Sequence, residues 1–268
     1  DSDSPLDSFM SNPIDILQAN VTLPFSNLFR KESRGFIRLG RFTMDQGSRR
    51  FVARNRFRNT INSFAGAQAR LENKKTSMEV FYTRPTKRRV SGDWINNDPR
   101  LDKQSKDTFW GAYFTTKLTE QDSLQLYLLG ADEKRDRPAN QRFEVLTTGA
   151  RLFRNPIPKL WHYDLEAVYQ FGDAPALDKI SPQIDHKARY FHASFGYSMD
   201  VSWQPRISFL YHYGSGDKDP LDDESNELDH MFGVPRPDFG PTGLFRAFQR
   251  VNTSSPGIML NLQPAPNI

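Results

Sequence analysis

Arginine side chains concentrate in one part of this sequence and could bind anions. From Arg30 to Arg58 there are ten basic residues against two acidic ones, a local net charge of +8, whereas all 268 residues together carry +4. The planar arginine fork binds both oxygens of a carboxylate, so this pattern predicts a site for an acidic solute. The alternative is a solvated loop that contacts lipopolysaccharide phosphates outside any pore.

The residues predicted to line a pore and bind such a solute lie on two strands, in the segment between them, and at one later position. They are Arg38, Arg41, Arg49, Arg50, Arg54, Arg56, Arg58, Arg70 and Arg151. Arg38 and Arg70 alternate with apolar neighbours and are therefore expected to face a lumen. Arg41 falls on the apolar parity, which predicts that it lies past the apolar band or follows a β-bulge.

Later strands carry further titratable side chains on the lumen parity. These are Glu79, Lys117, Arg151, Asp164 and Glu166. Pairing across the turns is expected to bring Gln68 near Glu79. It should also bring Arg151 near His162, with Asp164 diagonal to Arg151. Mixed charges that face one another in this way predict a ladder of salt bridges rather than a catalytic site.

Two patterns could bind a metal ion, and in both the simpler interpretation is favoured. His192 and His212 should face each other across a turn, but the sequence shows no third ligand, so polar filling of the lumen is favoured over a metal site. The acidic stretch 217–224 has clustered carboxylates but lacks the glycine and terminal glutamate spacing of an EF-hand. It is therefore expected to be a solvated loop.

Composition and missing motifs exclude several classes of function. The chain has no cysteine, which removes disulfides, cysteine-ligated zinc and thiol catalysis. It has no GxSxG, HExxH, Walker A or Rossmann glycine pattern, so we expect neither an enzyme nor a cofactor. A pI of 9.2 would suit nucleic-acid binding, but the acidic loops argue against that partner.

Period-two alternation of apolar and polar residues predicts an all-β chain. The cleanest example sets Trp161, Tyr163 and Leu165 against His162 and Asp164. About eleven such strands are predicted, without a convincing helix. No apolar run approaches the eighteen residues that a transmembrane helix needs.

The connections between these strands alternate in length. Short connections are predicted at 26–32, 73–74, 119–122, 155–159 and 200–204, and they alternate with long loops. Outer-membrane barrels alternate short periplasmic turns with long extracellular loops, whereas a soluble β-sandwich has no reason to do so. We therefore expect a transmembrane antiparallel β-barrel over residues 1–268. Because such barrels take an even number of strands, this single domain should lack strands at both ends.

Three short motifs resemble one protein family. Gly40-Arg41, Gly47 with Arg49 and Arg50, and Phe64 with Gly66 are similar to the signature hairpin of the alginate-export family of outer-membrane β-barrels. Segments 211–220 and 255–264 continue the likeness in the same order. The resemblance implies a bacterial outer-membrane barrel of about 18 strands, often with an arginine-lined lumen that passes anionic polysaccharide or other solutes.

The leading functional hypothesis is a passive, porin-like channel in the bacterial outer membrane. Its solutes would be small anions or an anionic polysaccharide, with a uronate polymer such as alginate as one candidate. Expected partners are outer-membrane lipid and lipopolysaccharide, and a periplasmic or envelope protein is a further candidate. The alternative is a barrel that acts as a scaffold or sheath for a secretion or electron-transfer protein. A barrel hydrolase would need a Ser-His or Asp-His cluster at one strand end, which the sequence does not show.

Overall fold

A computed structural model describes residues 15–28, 31–55, 60–87, 103–133, 142–176, 183–240 and 248–263. These residues form thirteen strands and one helix of four residues. The strands are β1 (Ala19–Ser26), β2 (Arg34–Phe42), β3 (Phe64–Glu72), β4 (Thr76–Lys87), β5 (Lys103–Gln104), β6 (Thr108–Lys117), β7 (Asp122–Glu133), β8 (Phe143–Arg154), β9 (Trp161–Ala174), β10 (Ile184–Ser198), β11 (Arg206–Gly214), β12 (Glu224–Ser225) and β13 (Thr253–Asn261), and the helix is α1 (Arg236–Phe239). None of the described helical residues forms a segment long and apolar enough to span a membrane.

Eleven of the strands form one continuous antiparallel sheet in chain order, β1-β2-β3-β4-β6-β7-β8-β9-β10-β11-β13. This confirms the eleven strands expected from alternation. The two-residue strands β5 and β12 pair at the margin, with β4 and β10 respectively. Among the described residues, β1 pairs only with β2 and β13 only with β11. One edge of β1 and one edge of β13 therefore have no strand partner among the described residues.

The two faces of the sheet differ in chemistry. On the outer face, Phe209 is 61% exposed and Leu165 is 40% exposed, although both side chains are apolar. On the inner face, the adjacent Ser208 and Glu166 are 4% and 1% exposed, although both are polar. A soluble sheet buries its apolar face, and this sheet does the reverse, as membrane barrels do.

The described residues of two long connections cover the inner face. Loop A (residues 43–63) joins β2 to β3, and loop B (residues 215–252) joins β11 to β13 and contains α1. The loops pair with each other, because the backbone N–H of Ala53 donates to the Phe232 carbonyl at 3.0 Å and the Phe232 N–H donates to the Phe51 carbonyl at 3.0 Å.

Aromatic side chains hold the two loops against the sheet. The Phe51 ring of loop A lies 5.8 Å from the Tyr190 ring on β10, and the Phe232 ring of loop B lies 4.7 Å from the Phe109 ring on β6. The hydrophobic core of the described residues therefore lies between the loops and the inner face.

The short connections match their predicted positions, but two registers differ from expectation. Glu79 pairs with Arg70 and lies diagonal to Gln68, whose side-chain amide still donates to it. Arg151 pairs with Glu166 across β8 and β9, not with His162. The reason is the length of the connection: Arg154 pairs with Tyr163, so the eight residues 155–162 separate the last pair, and Lys159 among them has a φ of +66°. The partner of Arg151 moves by four residues, from His162 to Glu166, and because four is an even number every side chain stays on its predicted face.

Candidate functional site

Arg50 of loop A lies at the centre of the inner face and is 4% exposed. Its Nη1 is 2.5 Å from Oε2 of Glu166, and its Nη2 is 3.1 Å from Oδ2 of Asp164; both carboxylates belong to β9. The same Nη2 is 2.9 Å from Oδ1 of Asp238 in α1 of loop B. One guanidinium thus joins loop A, loop B and the sheet.

A tight turn in loop A directs Arg50 toward β9. Gly47 has a φ of +53°, and an added Cβ there would lie 2.5 Å from Oε1 of Gln125 on the sheet. The positive φ favours glycine at this position, and a larger residue would also require the Gln125 side chain to move. Ser48, next in the turn, donates from Oγ to Oε1 of Glu166 at 3.2 Å.

Asp238 is buried between two arginines. In addition to Arg50, Arg250 donates to its Oδ2 from Nε at 2.8 Å and from Nη2 at 2.6 Å. Burial alone would raise the pKa of Asp238, but the charges of Arg50 and Arg250 outweigh it and hold that pKa well below its usual range. Burial alone would lower the pKa of Arg50, and the facing carboxylates of Asp238, Glu166 and Asp164 instead raise it.

Arg151 completes the arrangement from β8. It binds Asp164 with both arms of its fork, Nε to Oδ1 at 2.6 Å and Nη2 to Oδ2 at 3.1 Å. We call the whole set the ion-pair cluster: Arg50, Arg151, Arg250, Asp164, Glu166 and Asp238. Three positive and three negative charges balance, so the cluster carries no net charge, and its ion pairs join loops A and B to the sheet.

His192 and His212 face each other, as expected from their positions on either side of one turn. Their Nδ1 atoms are 3.1 Å apart, and a carboxylate oxygen of Asp238 lies within 4.8 Å of the two imidazoles. The sequence could not reveal this third group because it comes from loop B. A divalent ion here would lie against the guanidinium groups of Arg50 and Arg250, which already engage both oxygens of Asp238, so the set does not fit a metal site.

Arg38 and Arg70 differ in their partners on the inner face. The Nε of Arg38 donates to Oγ1 of Thr22 at 3.1 Å, and its Nη1 donates to Oε1 of Gln68 at 3.2 Å. No carboxylate of the described residues lies within 4 Å of Arg38. Arg70 instead pairs with Glu72 at 2.7 Å and with Glu79 at 3.5 Å. Arg38 therefore keeps a net positive charge in its surroundings.

The other predicted arginines differ in their surroundings. Arg41 binds the carboxylate of Asp15 and donates from Nε to Oγ of Ser63 at 3.2 Å. Its register is continuous with both neighbouring strands, so there is no bulge; Arg41 lies at the long-loop end of β2, next to Gly40 with a φ of +119°. Arg49 pairs with Asp45 at 3.1 Å. Nε of Arg54 is buried without a hydrogen-bond partner among the described atoms, and Arg56 and Arg58 lie outside the described residues.

Two basic residues of the inner face were missed by the sequence reasoning. Arg206 borders a cavity of about 300 Å³ near the short-turn end and donates to Oδ1 of Asn261 at 3.2 Å. It has no carboxylate within 4 Å in the described part of the chain. Alternation with Ile207 could have placed Arg206 on the inner face. Arg250 lies in a loop without periodicity, so no sequence signal could have identified it.

Comparison with known proteins agrees with this architecture. The family model described as "Alginate export" matches residues 2–268, essentially the whole chain. No individual curated protein matches the sequence. The eleven-stranded antiparallel sheet, with its apolar outer face and polar inner face, is the arrangement expected of an outer-membrane barrel. The chain therefore belongs to the alginate export family of outer-membrane β-barrel proteins.

Proposed function

We propose that this protein forms an export channel for an anionic, uronate-type polysaccharide and that unpaired arginines of the inner face recognise the polymer's carboxylates. Family membership supports transport across the outer membrane. The choice of an anionic solute, and of the arginines that meet it, comes from the charges of the inner face.

The observation that carries the proposal is the environment of Arg38. Its guanidinium has five N–H donors, and in the described part of the chain two of them bind Thr22 and Gln68 and three have no partner. Both of those partners are neutral, so the positive charge is not cancelled. A charge on a low-dielectric wall attracts counter-ions into the lumen and repels ions of like charge.

Arg206 extends this recognition toward the short-turn end. Among the described residues only its Nε makes a side-chain hydrogen bond, to Asn261, so its other donors are available to a carboxylate there. If the short turns lie in the periplasm, as we propose from the alternation of loop lengths, an exported polymer meets Arg206 early on its way to Arg38. Arg50 and Arg151, by contrast, hold the loops in place.

The free edges of β1 and β13 bear on the size of the barrel. A strand edge exposed to lipid leaves backbone N–H and C=O groups without partners, at a cost of several kcal/mol per group. We therefore propose that both edges pair with strands outside the described residues, in a larger barrel of about 18 strands.

A scaffold or sheath for a partner protein is the second candidate. It is favoured by one observation: loops A and B fill the inner face between β4 and β11 with packed aromatic side chains. A sheath that binds its partner through this filled face would conduct no ions, whereas a channel must conduct at least when the loops move.

Bilayer conductance with the variant Arg38→Glu tests both candidates. In a salt gradient the zero-current potential should shift toward cation preference, and the shift should shrink as salt rises above physiological strength, where the Debye length is about 8 Å. Lys159→Glu makes the same charge change in the exposed turn before β9 and serves as the control. An equal shift in both variants would remove Arg38 from the lumen, and a folded protein that never conducts would favour the scaffold.

Blocking experiments test the solute class. Uronate oligomers added to one side should interrupt the current more than neutral glucose oligomers of equal length. Arg38→Gln should weaken the uronate block and leave the neutral block unchanged. Equal blocking by both oligomers in the unmodified protein would contradict carboxylate recognition.

A further inference from the structure

The outer face carries a groove across β6 to β10. Its volume is about 820 Å³, and small side chains from three strands form its floor: Ala112, Ala150 and Ala167. Larger apolar side chains, including Phe114, Leu126 and Tyr169, stand beside it. Most of the lining residues point away from loops A and B, so the groove opens toward the membrane.

A single cation lies at the upper end of this groove. Arg189 of β10 is exposed on the outer face and pairs in register with Tyr169 of β9. In the part of the chain that the structure describes, no carboxylate lies within 4 Å of its guanidinium. The next outward residue, Lys187, is already paired with Glu224 at 2.6 Å and with Asp185 at 3.1 Å. Arg189 is therefore the basic residue at this level that is available to a ligand.

The height of Arg189 fits the boundary between acyl chains and headgroups. Tyr169 pairs with Arg189, Phe171 lies one outward position above it, and the paired Phe191 and Tyr213 lie one outward position below it; all four are exposed aromatic side chains. Aromatic belts of this kind mark the membrane interface. An arginine on the lipid-facing side is costly at the bilayer centre and much less so near the interface, where it can meet an anion.

We propose that this groove binds lipopolysaccharide, with an acyl chain of its lipid A along the alanine floor and a lipid A phosphate on Arg189. The apolar floor suits a hydrocarbon chain, and the arginine fork binds phosphate oxygens in pairs. The choice of lipopolysaccharide over a phospholipid rests on the proposed orientation, which puts the Arg189 end of the groove in the outer leaflet. The site would hold the barrel to its lipid and takes no part in transport.

Binding of bisphosphorylated lipid A to the full-length protein in detergent, followed by native mass spectrometry, tests the phosphate contact. Arg189→Gln should weaken binding about tenfold, the effect of one lost charge-assisted contact, and Arg189→Lys should retain most of it. Lys187→Gln is the matched control because its ammonium is already paired, and it should bind as the unmodified protein does. Equal weakening in Arg189→Gln and Lys187→Gln would overturn a specific role for Arg189.

The acyl contact is tested separately. Ala167→Phe fills the groove from its floor and should reduce lipid A binding, whereas Ala193→Phe makes the same change on the outer face away from the groove lining. Both positions point outward, so neither change disturbs the packing of the loops. The proposal is wrong if Ala167→Phe binds lipid A normally, or if the unmodified protein binds dephosphorylated lipid A or phosphatidylethanolamine as tightly.

Discussion

Replacing Arg50 by methionine should open the channel by releasing loops A and B. The substitution keeps an apolar chain of similar length but removes the charge that joins Glu166, Asp164 and Asp238. Arg50 is the one described residue that ion-pairs with both loop B and β9, so its loss removes the buried electrostatic link between the loops and the sheet and leaves the exposed pair of Lys187 with Glu224 at the margin.

The size of this effect depends on which ion-pair partners each carboxylate keeps after Arg50 is replaced. Asp164 retains Arg151 and Asp238 retains Arg250, so neither is left without a cation. Glu166 retains only neutral donors, the Tyr127 hydroxyl at 2.7 Å and Ser48 Oγ at 3.2 Å. One buried charge is therefore left without an ion-pair partner, which costs about 3–5 kcal/mol. A change of that size multiplies the population of the released loops by about two to three and a half powers of ten.

Single-channel recording measures this population as open events. Arg50→Met should show longer and more frequent openings than the unmodified protein. Arg49→Met should not, because the neighbouring Arg49 is partly exposed and its surface pair with Asp45 is worth at most about 1 kcal/mol. Both proteins should insert and fold as barrels, which heat-modifiable mobility on gels can verify.

A second change separates charge from packing. In the double variant Arg50→Met with Glu166→Gln, no buried charge lacks a cation, so openings should fall back toward the unmodified level. The reasoning is refuted if Arg50→Met opens no more often than Arg49→Met. It is also refuted if neutralising Glu166 leaves the openings of Arg50→Met unchanged.

Three further predictions concern the membrane and the pH range. Leu165→Arg on the outer face should lower the free energy of folding into vesicles by about 2–4 kcal/mol, and Ser194→Arg, which points inward opposite Asp164, should cost much less; equal losses would mean that the outer face does not meet lipid. Cysteines placed singly at Lys74 and Gln121 should resist a membrane-impermeant label on whole cells, while one at Asp222 should react; labelling at the first two positions alone would reverse the proposed orientation. The pKa of Asp238 is lowered in the folded protein, so its contribution to loop closure is present above the ordinary carboxyl pKa of about 3.9 and is lost only as the pH falls below that value. Conductance should therefore be the same at pH 7 and pH 5, and openings that already rise at pH 5 would contradict this assignment.

Period-two alternation was enough to predict the strands and their faces. Leu165 and Glu166 illustrate why: neighbouring side chains on a strand point to opposite faces, so residue type alone reports which side meets lipid. Register was less predictable, since it depends on how many residues each turn contains. His192 and His212 were placed correctly across their turn, whereas Arg151 was assigned to His162 because the turn before β9 was taken as too short.

The ion-pair cluster was beyond the reach of such reasoning. Arg50 and Arg151 were selected as candidate anion sites because of their charge, but whether an arginine is free or neutralised depends on its neighbours in space. Asp238 lies 188 residues from Arg50 in the chain. It belongs to a loop without periodicity, and a loop's contacts depend on how it packs, not on a repeating pattern.

The arginines of the basic hairpin divide into paired and unpaired ones, and the two kinds have different functions. Its charge of +8 suggested one uniform positive surface, yet the structure divides the described arginines by what surrounds them. Arg50 binds three carboxylates and is sealed from solvent, so it stabilises the loops, whereas Arg38 lies on the same inner face with neutral partners and keeps free donors. A channel needs both kinds, because a polymer that bound as tightly as Asp238 binds Arg50 would never leave. Conduction requires contacts strong enough to attract the solute and weak enough to release it, and a partly solvated arginine such as Arg38 meets that condition.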